Sequence, residues 1–464
     1  VSQKECFIYH TNDLHSHFEQ WGKIVTFMKR MRLSHQLRQE ESVYVDLGDH
    51  ADRSALLTEG TAGKANVQLL NALQVDAVTI GNNEGITFSK QELDDLYEGA
   101  DFSVLVANLK EQDGTYPKWL QPYQIKTLQN GLKIGMIGFT FPYELFYKQI
   151  GWHVEDPYTI IQQLVEKVRA QADVVLVLSH LGLSSDEWIA EHVDGIDVIL
   201  GGHTHHLLKQ GKLVKDTLIA QVGRYGHFVG QVKLVFDDTT KKVLKKEAGA
   251  ISIDFLPADE EATKLLDQLE EEAKKKLAAV VTTLDQPIFH SWFESSELAD
   301  LLAEGLATWC DAEVSMLNAG VLLHGLPKGP VTYNHIHAIC PHPINPCKVT
   351  LRGDKLKEII MASFSADMQK LKVRGLGFRG RIMGMMAFYG IEVTTTWGAD
   401  GLNHVTTIRI NGKPIQPFKE YVVATLDMFT FGPLFPEMSV AKEKTYYLPE
   451  FIRDVLTWKL KTSR

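Results

Sequence analysis

Only four of the 464 residues are cysteine, Cys6, Cys310, Cys340 and Cys347, too few and too scattered for a disulfide framework. Cys340 and Cys347 bracket His342 in a loop with metal-binding residue types, but neither a zinc spacing nor a second half accompanies it, so these thiols read as buried or loop residues. No apolar run approaches the roughly 18 residues of a membrane span, and the start, Val1-Ser2-Gln3-Lys4-Glu5, carries no signal-like stretch. The chain is therefore expected to be soluble and cytoplasmic without a membrane partner, although a removed leader would leave the same sequence. With 35 Gly, 16 Pro, 44% hydrophobic and 23% charged residues, low complexity and wholesale disorder are excluded. Positive charge is short where it would matter for nucleic acid: residues 1–283 hold 29 basic against 40 acidic residues, and residues 284–464 hold 19 against 18. Duplex nucleic acid is thus not the expected partner.

Seven short apolar, β-branched runs punctuate the first half: 6–10, 43–47, 77–80, 104–107, 134–139, 174–178 and 198–200. Runs of this length read as strands buried on both faces. Amphipathic stretches of helical length lie between several of them, at 24–39, 65–73, 89–97 and 158–171. The alternation predicts an α/β layered domain, whose ligands gather on loops beyond the strand ends. After Pro257 the pattern changes to Asp259-Glu260-Glu261, then Leu265, Leu266, Leu269 and Ala273 at helical spacing, then Lys274-Lys275-Lys276. Early acids and late lysines suit a helix dipole. The expected organisation is a first domain over 1–256, a linker helix over 257–283 and a second α/β domain over 284–464. That second domain should hold helices near 295–309 and 355–368 and strands near 390–396, 405–410 and 421–426.

Histidine carries the chemical signal, since 12 of the 18 fall within the first 227 positions. Several stand beside Asp, Asn or Gly just past a predicted strand: Asp13-Leu14-His15-Ser16-His17, Gly48-Asp49-His50, Gly81-Asn82-Asn83-Glu84, His180, and Gly202-His203-Thr204-His205-His206. One such motif would signify little, but five behind five strands point to metal. Two adjacent divalent ions need N and O ligands from several loops and a carboxylate bridging both. Asp49 is the expected bridge.

These motifs, in this order, resemble the 5′-nucleotidase family: a layered α/β metallophosphoesterase β-sandwich flanked by helices, followed by a second α/β substrate-binding domain. The resemblance implies one metal held by Asp13, His15, Asp49 and His205 and another by Asp49, Asn82, His180 and His203. It implies metal-assisted hydrolysis of a nucleotide-like phosphomonoester or cyclic phosphodiester, a small-molecule phosphate ester being the expected partner. Manganese, zinc, magnesium and calcium all suit such an N/O donor set.

The departures from the family pattern define the remaining candidates. The family has Gly-Asn-His-Glu with an Asp two positions on, where this chain has Asn83 and Ile86. Loss of one transition-state donor costs about 10²- to 10³-fold in rate, so a slow enzyme is expected, the rival being a metal- and nucleotide-binding protein with little catalysis. Asn83 and His17 are the catalytic candidates, with His50, His206 and His227 also near the motifs. In the second domain Phe435 matches one of the family's two base-stacking aromatics. A segment free of acidic residues, Gln369 to Ile391, offers Arg374, Arg379 and Arg381 for an anion and Phe378 for stacking on a ring.

Overall fold

The computed structural model describes residues 2–399 and 403–462. They form two compact units divided between Ala273 and Lys274.

In the first unit the apolar runs become two six-stranded sheets. One has the order Val243–Ser252, Phe228–Asp237, Gln3–Thr11, Glu41–Asp46, Ala77–Val78, Ser103–Val104, its last four strands parallel. The other has the order Lys212–Val214, Thr217–Ala220, Val198–Gly201, Val174–His180, Lys133–Thr140, Tyr123–Thr127, its middle four strands parallel. Side chains alternate across a strand. Accordingly Cys6 and Ile8 face a core shared with Val45, Leu178 and Leu200, whereas Phe7 and Tyr9 face the helices.

Those helices cover the outer faces. Trp21–Arg38 contributes Trp21, Ile24, Phe27 and Met28 on one side, and Pro157–Arg169 contributes Ile161, Val165 and Val168 on the other. Helix, sheet, sheet and helix layers follow, which is the expected α/β sandwich. Strands Phe228–Asp237 and Val243–Ser252 are additions to the sequence expectation. They lack a continuous apolar run, because one side of the ribbon carries solvated residues such as Lys245 and Glu247.

Helix Glu260–Lys276 lies where a linker was expected, but its apolar stripe is not left free. Ala262 and Leu269 are buried in the core of the first unit, and Leu265 and Leu266 pack against it.

The second unit is built on a five-stranded sheet ordered Met386–Tyr389, Val314–Asn318, Glu420–Leu426, Pro346–Arg352, Lys444–Tyr446. Helices Glu297–Trp309, Gly353–Ser363 and Ile452–Thr462 share its core. The single helix expected over 355–368 is broken: Gly353–Ser363 ends, and Ser365 caps a new turn, Ala366–Gln369, by accepting a hydrogen bond from the Met368 amide. All four cysteines are buried free thiols. Among the described residues no helix is long and apolar enough to cross a membrane.

Candidate active site

The parallel strands of both sheets end at one edge, and the polar motifs lie there. The chain after Gln3–Thr11 turns sharply, with Asp13, His15 and Ser16 all at φ near +50°. Asp49, His203 and His205 are also left-handed. Such conformations cost on the order of 1–3 kcal/mol each for non-glycine residues and persist only where their surroundings hold them. Here backbone bonds do so: the amides of Asp13, His15 and Ser16 donate to the carbonyls of Gly48, Asp49 and His50 at 3.1, 2.8 and 2.9 Å. Gly48 sits at φ +84°, and a Cβ there would lie 2.2 Å from the Gly81 nitrogen, so glycine alone lets the second and third loops touch.

Each central carboxylate turns one oxygen toward the histidines. Asp13 Oδ2 accepts from Asn12 Nδ2 at 2.7 Å, and the His203 amide is shared between Oδ2 and Oδ1, 3.1 Å from each. Its Oδ1 lies 3.3 Å from His205 Nε2, 3.8 Å from His15 Nε2 and 3.9 Å from His180 Nε2. Asp49 Oδ1 accepts from the Asn83 amide at 2.8 Å, while Oδ2 lies 3.6 Å from His15 Nε2 and 3.4 Å from His180 Nε2. Two clusters of possible metal-holding groups result, Asp13 with His15 and His205, and Asp13 with Asp49 and His180; Asp13 belongs to both, and Asp49 faces the first through His15. Asn82 Oδ1 and His203 Nδ1 face each other at 2.9 Å beside them.

A cation fits this donor set. His180 donates Nδ1–H to the Leu47 carbonyl at 2.7 Å, which leaves its buried Nε2 facing the carboxylates with no hydrogen-bond partner among the described residues. A backbone carbonyl behind an imidazole is the arrangement that orients a metal-binding histidine. The Nε2 atoms of His15 and His205 likewise converge to 3.1 Å. Without a cation the carboxylates of Asp49 and Asp13 overcome the burial that opposes charge on His180 and raise its pKa to about 10, so Nε2 then holds a proton that a bound cation would displace. Burial alone would raise Asp49, yet the His180 and His15 imidazoles and the Asn83 amide hold it well below the usual carboxylate range. Burial, with the His180 charge behind it, lowers His203 to about 4.

Glu84 is structural support. Its buried carboxylate accepts from the amides of Asp49, Gly81 and Ala51 at 2.9, 2.8 and 2.8 Å and clamps two loops together. Asn83 is buried, with its side-chain Nδ2 2.9 Å from His15 Nδ1.

Other sequence candidates lie apart from the cluster. His17 is exposed, its ring tilted against that of Tyr225 with centroids 4.0 Å apart. His50 is buried between Phe18 and Trp21. His206 bonds Thr204, and His227 lies 3.6 Å from Asp254.

In the second unit both aromatic candidates belong to the core, contrary to the stacking role expected for them. Phe378 is 4% exposed with its face on His342, and Phe435 is 1% exposed with its ring against Phe429. A ligand ring would have to displace these neighbours. Arg374, Arg379 and Arg381 are exposed, the Arg379 amide donating to His342 Nδ1.

Sequence reasoning missed Asp52 and Phe141. Phe141 stacks on the His203 ring at 4.5 Å, and nothing in its local sequence announces that contact. Asp52, buried, places Oδ2 3.3 Å from His15 Nδ1, and its position three residues beyond Asp49 was the available signal. As a ligand through Nε2, His15 would carry its proton on Nδ1, with Asp52 as acceptor. Asp52→Asn is therefore expected to weaken divalent-ion binding about 10- to 100-fold, the usual cost of losing such an outer partner. Titration of the metal-free variant measures it, and an unchanged affinity would remove Asp52 from this role.

Residues 8–207 match the family model of the calcineurin-like phosphoesterases, which makes the first unit a metallophosphoesterase. Residues 278–432 match that of the 5′-nucleotidase C-terminal domain, and the chain belongs to the 5′-nucleotidase family of metal-dependent phosphoester hydrolases. It is 48% identical over 454 residues, 98% of either chain, to the uncharacterized metallophosphoesterase YunD of Bacillus subtilis (strain 168). It is 24% identical over 408 residues to the 5′-nucleotidase of Bos taurus, covering 76% of this chain and 71% of the relative. The NAD nucleotidase of Haemophilus influenzae shares the fold, with a TM-score of 0.68 at 18% identity over 100% of this chain and 97% of that one.

Proposed function

We propose that this protein hydrolyses a nucleotide-like phosphomonoester or cyclic phosphodiester, with Asp13, His15, Asp49 and His205 holding one divalent ion and Asp49, Asn82, His180 and His203 a second. The observation that carries the reading is Asp49 Oδ2, 3.6 Å from the His15 imidazole and 3.4 Å from that of His180. Two such ions supply Lewis acidity toward phosphoryl oxygens and a water nucleophile. Manganese, zinc, magnesium and calcium remain the candidates.

The chain's own residues do the rest. Asn12 and the Asn83 amide fix the unused oxygens of Asp13 and Asp49, so neither carboxylate has to reorganise when charge develops. Asn83 offers a hydrogen bond but no proton, which makes for slow leaving-group departure, and Phe141 shields one face of His203. In the second unit the exposed guanidinium groups of Arg374, Arg379 and Arg381 suit an anion, and Phe378 anchors their segment in that unit's core.

The test is phosphate release by metal-stripped protein reloaded with Mn²⁺, Zn²⁺, Mg²⁺ or Ca²⁺, over nucleoside monophosphates, cyclic phosphates, nucleotide sugars and a chromogenic diester. Metal-dependent release from the nucleotides is expected. Tight metal binding without turnover on any ester would favour the second reading, a metal- and nucleotide-binding protein, for which Asn83 in place of the family's histidine is the specific observation.

A further inference from the structure

Resting on that reading of the site, we propose that Arg224 binds the phosphoryl group of the substrate from the rim of the metal cluster and biases the enzyme toward phosphomonoester dianions. Arg224 is exposed on the turn between strands Thr217–Ala220 and Phe228–Asp237, and its Nη1 lies 3.4 Å from His205 Nδ1. Among the described residues it makes no ion pair. Arg53, close by in sequence to Asp49 and Asp52, is already committed: its guanidinium bonds Glu59 at 2.8 Å, the Thr87 carbonyl at 2.9 Å and Glu92 at 3.5 Å. Arg224 is thus a cation at the cluster without an anion to neutralise it, in a unit whose charge is otherwise acidic.

Its placement is built. Gly223 and Gly226, at φ +77° and +71°, bracket the turn, and Tyr225 between them is held left-handed at φ +64°. The Tyr225 amide donates to the Asp13 carbonyl at 2.9 Å, and the Gly223 amide to the His206 carbonyl at 2.9 Å, so the turn is fastened to two of the site loops. The guanidinium lies 4.5 Å from the centroid of the Tyr225 ring, which itself packs against the His17 ring. This gives His17 a place in the site as part of a shelf beneath Arg224.

The hydrogen bond that Arg224 makes here is incompatible with a cation on His205. A guanidinium only donates, so His205 Nδ1 must accept, and the ring proton then sits on Nε2, facing Asp13 at 3.3 Å. A cation held by Nε2 requires the proton on Nδ1 instead, which leaves two donors facing each other. Arg224 must then turn away from His205, and an oxyanion at the same edge is the acceptor within its reach. The planar fork suits phosphate oxygens. A monoester carries one more negative charge and one more terminal oxygen than a diester, and gains more from the added cation.

Manganese-loaded wild type, Arg224→Lys and Arg224→Ala are compared by calorimetry with inorganic phosphate, alongside the affinity of each metal-free protein for Mn²⁺. A charge-assisted hydrogen bond contributes about 1.5–3 kcal/mol, so Arg224→Ala is expected to raise the phosphate Kd at least about tenfold. Arg224→Lys should lie between it and wild type, with Mn²⁺ affinity in both variants as tight as in wild type or tighter. The ratio of monoester to diester kcat/KM should fall in parallel. A phosphate Kd for Arg224→Ala within about fivefold of wild type would overturn the inference while leaving the metal site standing. Wild-type protein that binds none of Mn²⁺, Zn²⁺, Mg²⁺ and Ca²⁺ would instead overturn the proposed function, and the inference with it.

Discussion

Asp49→Asn is expected to lose both bound ions and with them essentially all phosphate release. The substitution keeps the shape of the side chain, and the Asn83 amide can still donate to its oxygen, so the loop should fold as before. What disappears is the negative charge facing His15 and His180, leaving Asp13 as the only carboxylate among the proposed ligands of two divalent cations. Loss of a hydrogen-bond partner behind a ligand costs about 10–100-fold in metal affinity, and loss of a shared ligand should exceed that. Metal content after gel filtration in dilute Mn²⁺ or Zn²⁺, with phosphate release on the same sample, measures the effect. Two ions retained at wild-type affinity would mean that Asp13, which also reaches both clusters, is the bridge.

That Asp13 and Asp49 share this central position could be read from the sequence only in part. The motifs after the strands named residues that the structure brings together, because a parallel sheet forces its loop residues to one edge whatever the details of packing. Which oxygen of each carboxylate turns toward the histidines depends on its partners in the fold: the His203 amide, 190 positions away, for Asp13, and for Asp49 an amide 34 positions away. No local pattern encodes those. The continuous apolar runs marked the buried strands well, while the ribbon Phe228–Asp237 and Val243–Ser252 escaped because its half-solvated pattern resembles a polar loop. In the second unit, composition misled: a ring among arginines looks like a ligand platform, yet Phe378 turns inward onto His342 and only the charged tips remain outside. Arg224 and Tyr225 drew no notice for the opposite reason. They occupy an ordinary Gly-Arg-Tyr-Gly turn, which acquires meaning only through its bonds to Asp13 and His205.

Asn83→His is expected to raise kcat by about 10- to 10²-fold, recovering part of what a missing transition-state donor costs. Position 83 is well placed for it: the backbone is anchored by the bond to Asp49 Oδ1, and the side chain already reaches the His15 ring. The family's acidic partner is absent, since Ile86 packs against the apolar core, but Asp52 lies 3.3 Å from His15 Nδ1 and offers a carboxylate at the same place. The introduced imidazole would share Asp52 with His15, so metal affinity is expected to fall by less than the 10–100-fold cost of removing such a partner outright. A histidine acting as general acid must also be protonated to work, so the kcat profile should gain a descending alkaline limb that wild type lacks. That limb separates proton donation from mere repacking, which could change the rate but not its pH dependence. An unchanged kcat with the metal sites fully occupied would mean that Asn83 was never the weak point, and that a residue already present, Arg224 foremost, stabilises the departing phosphoryl charge in its place.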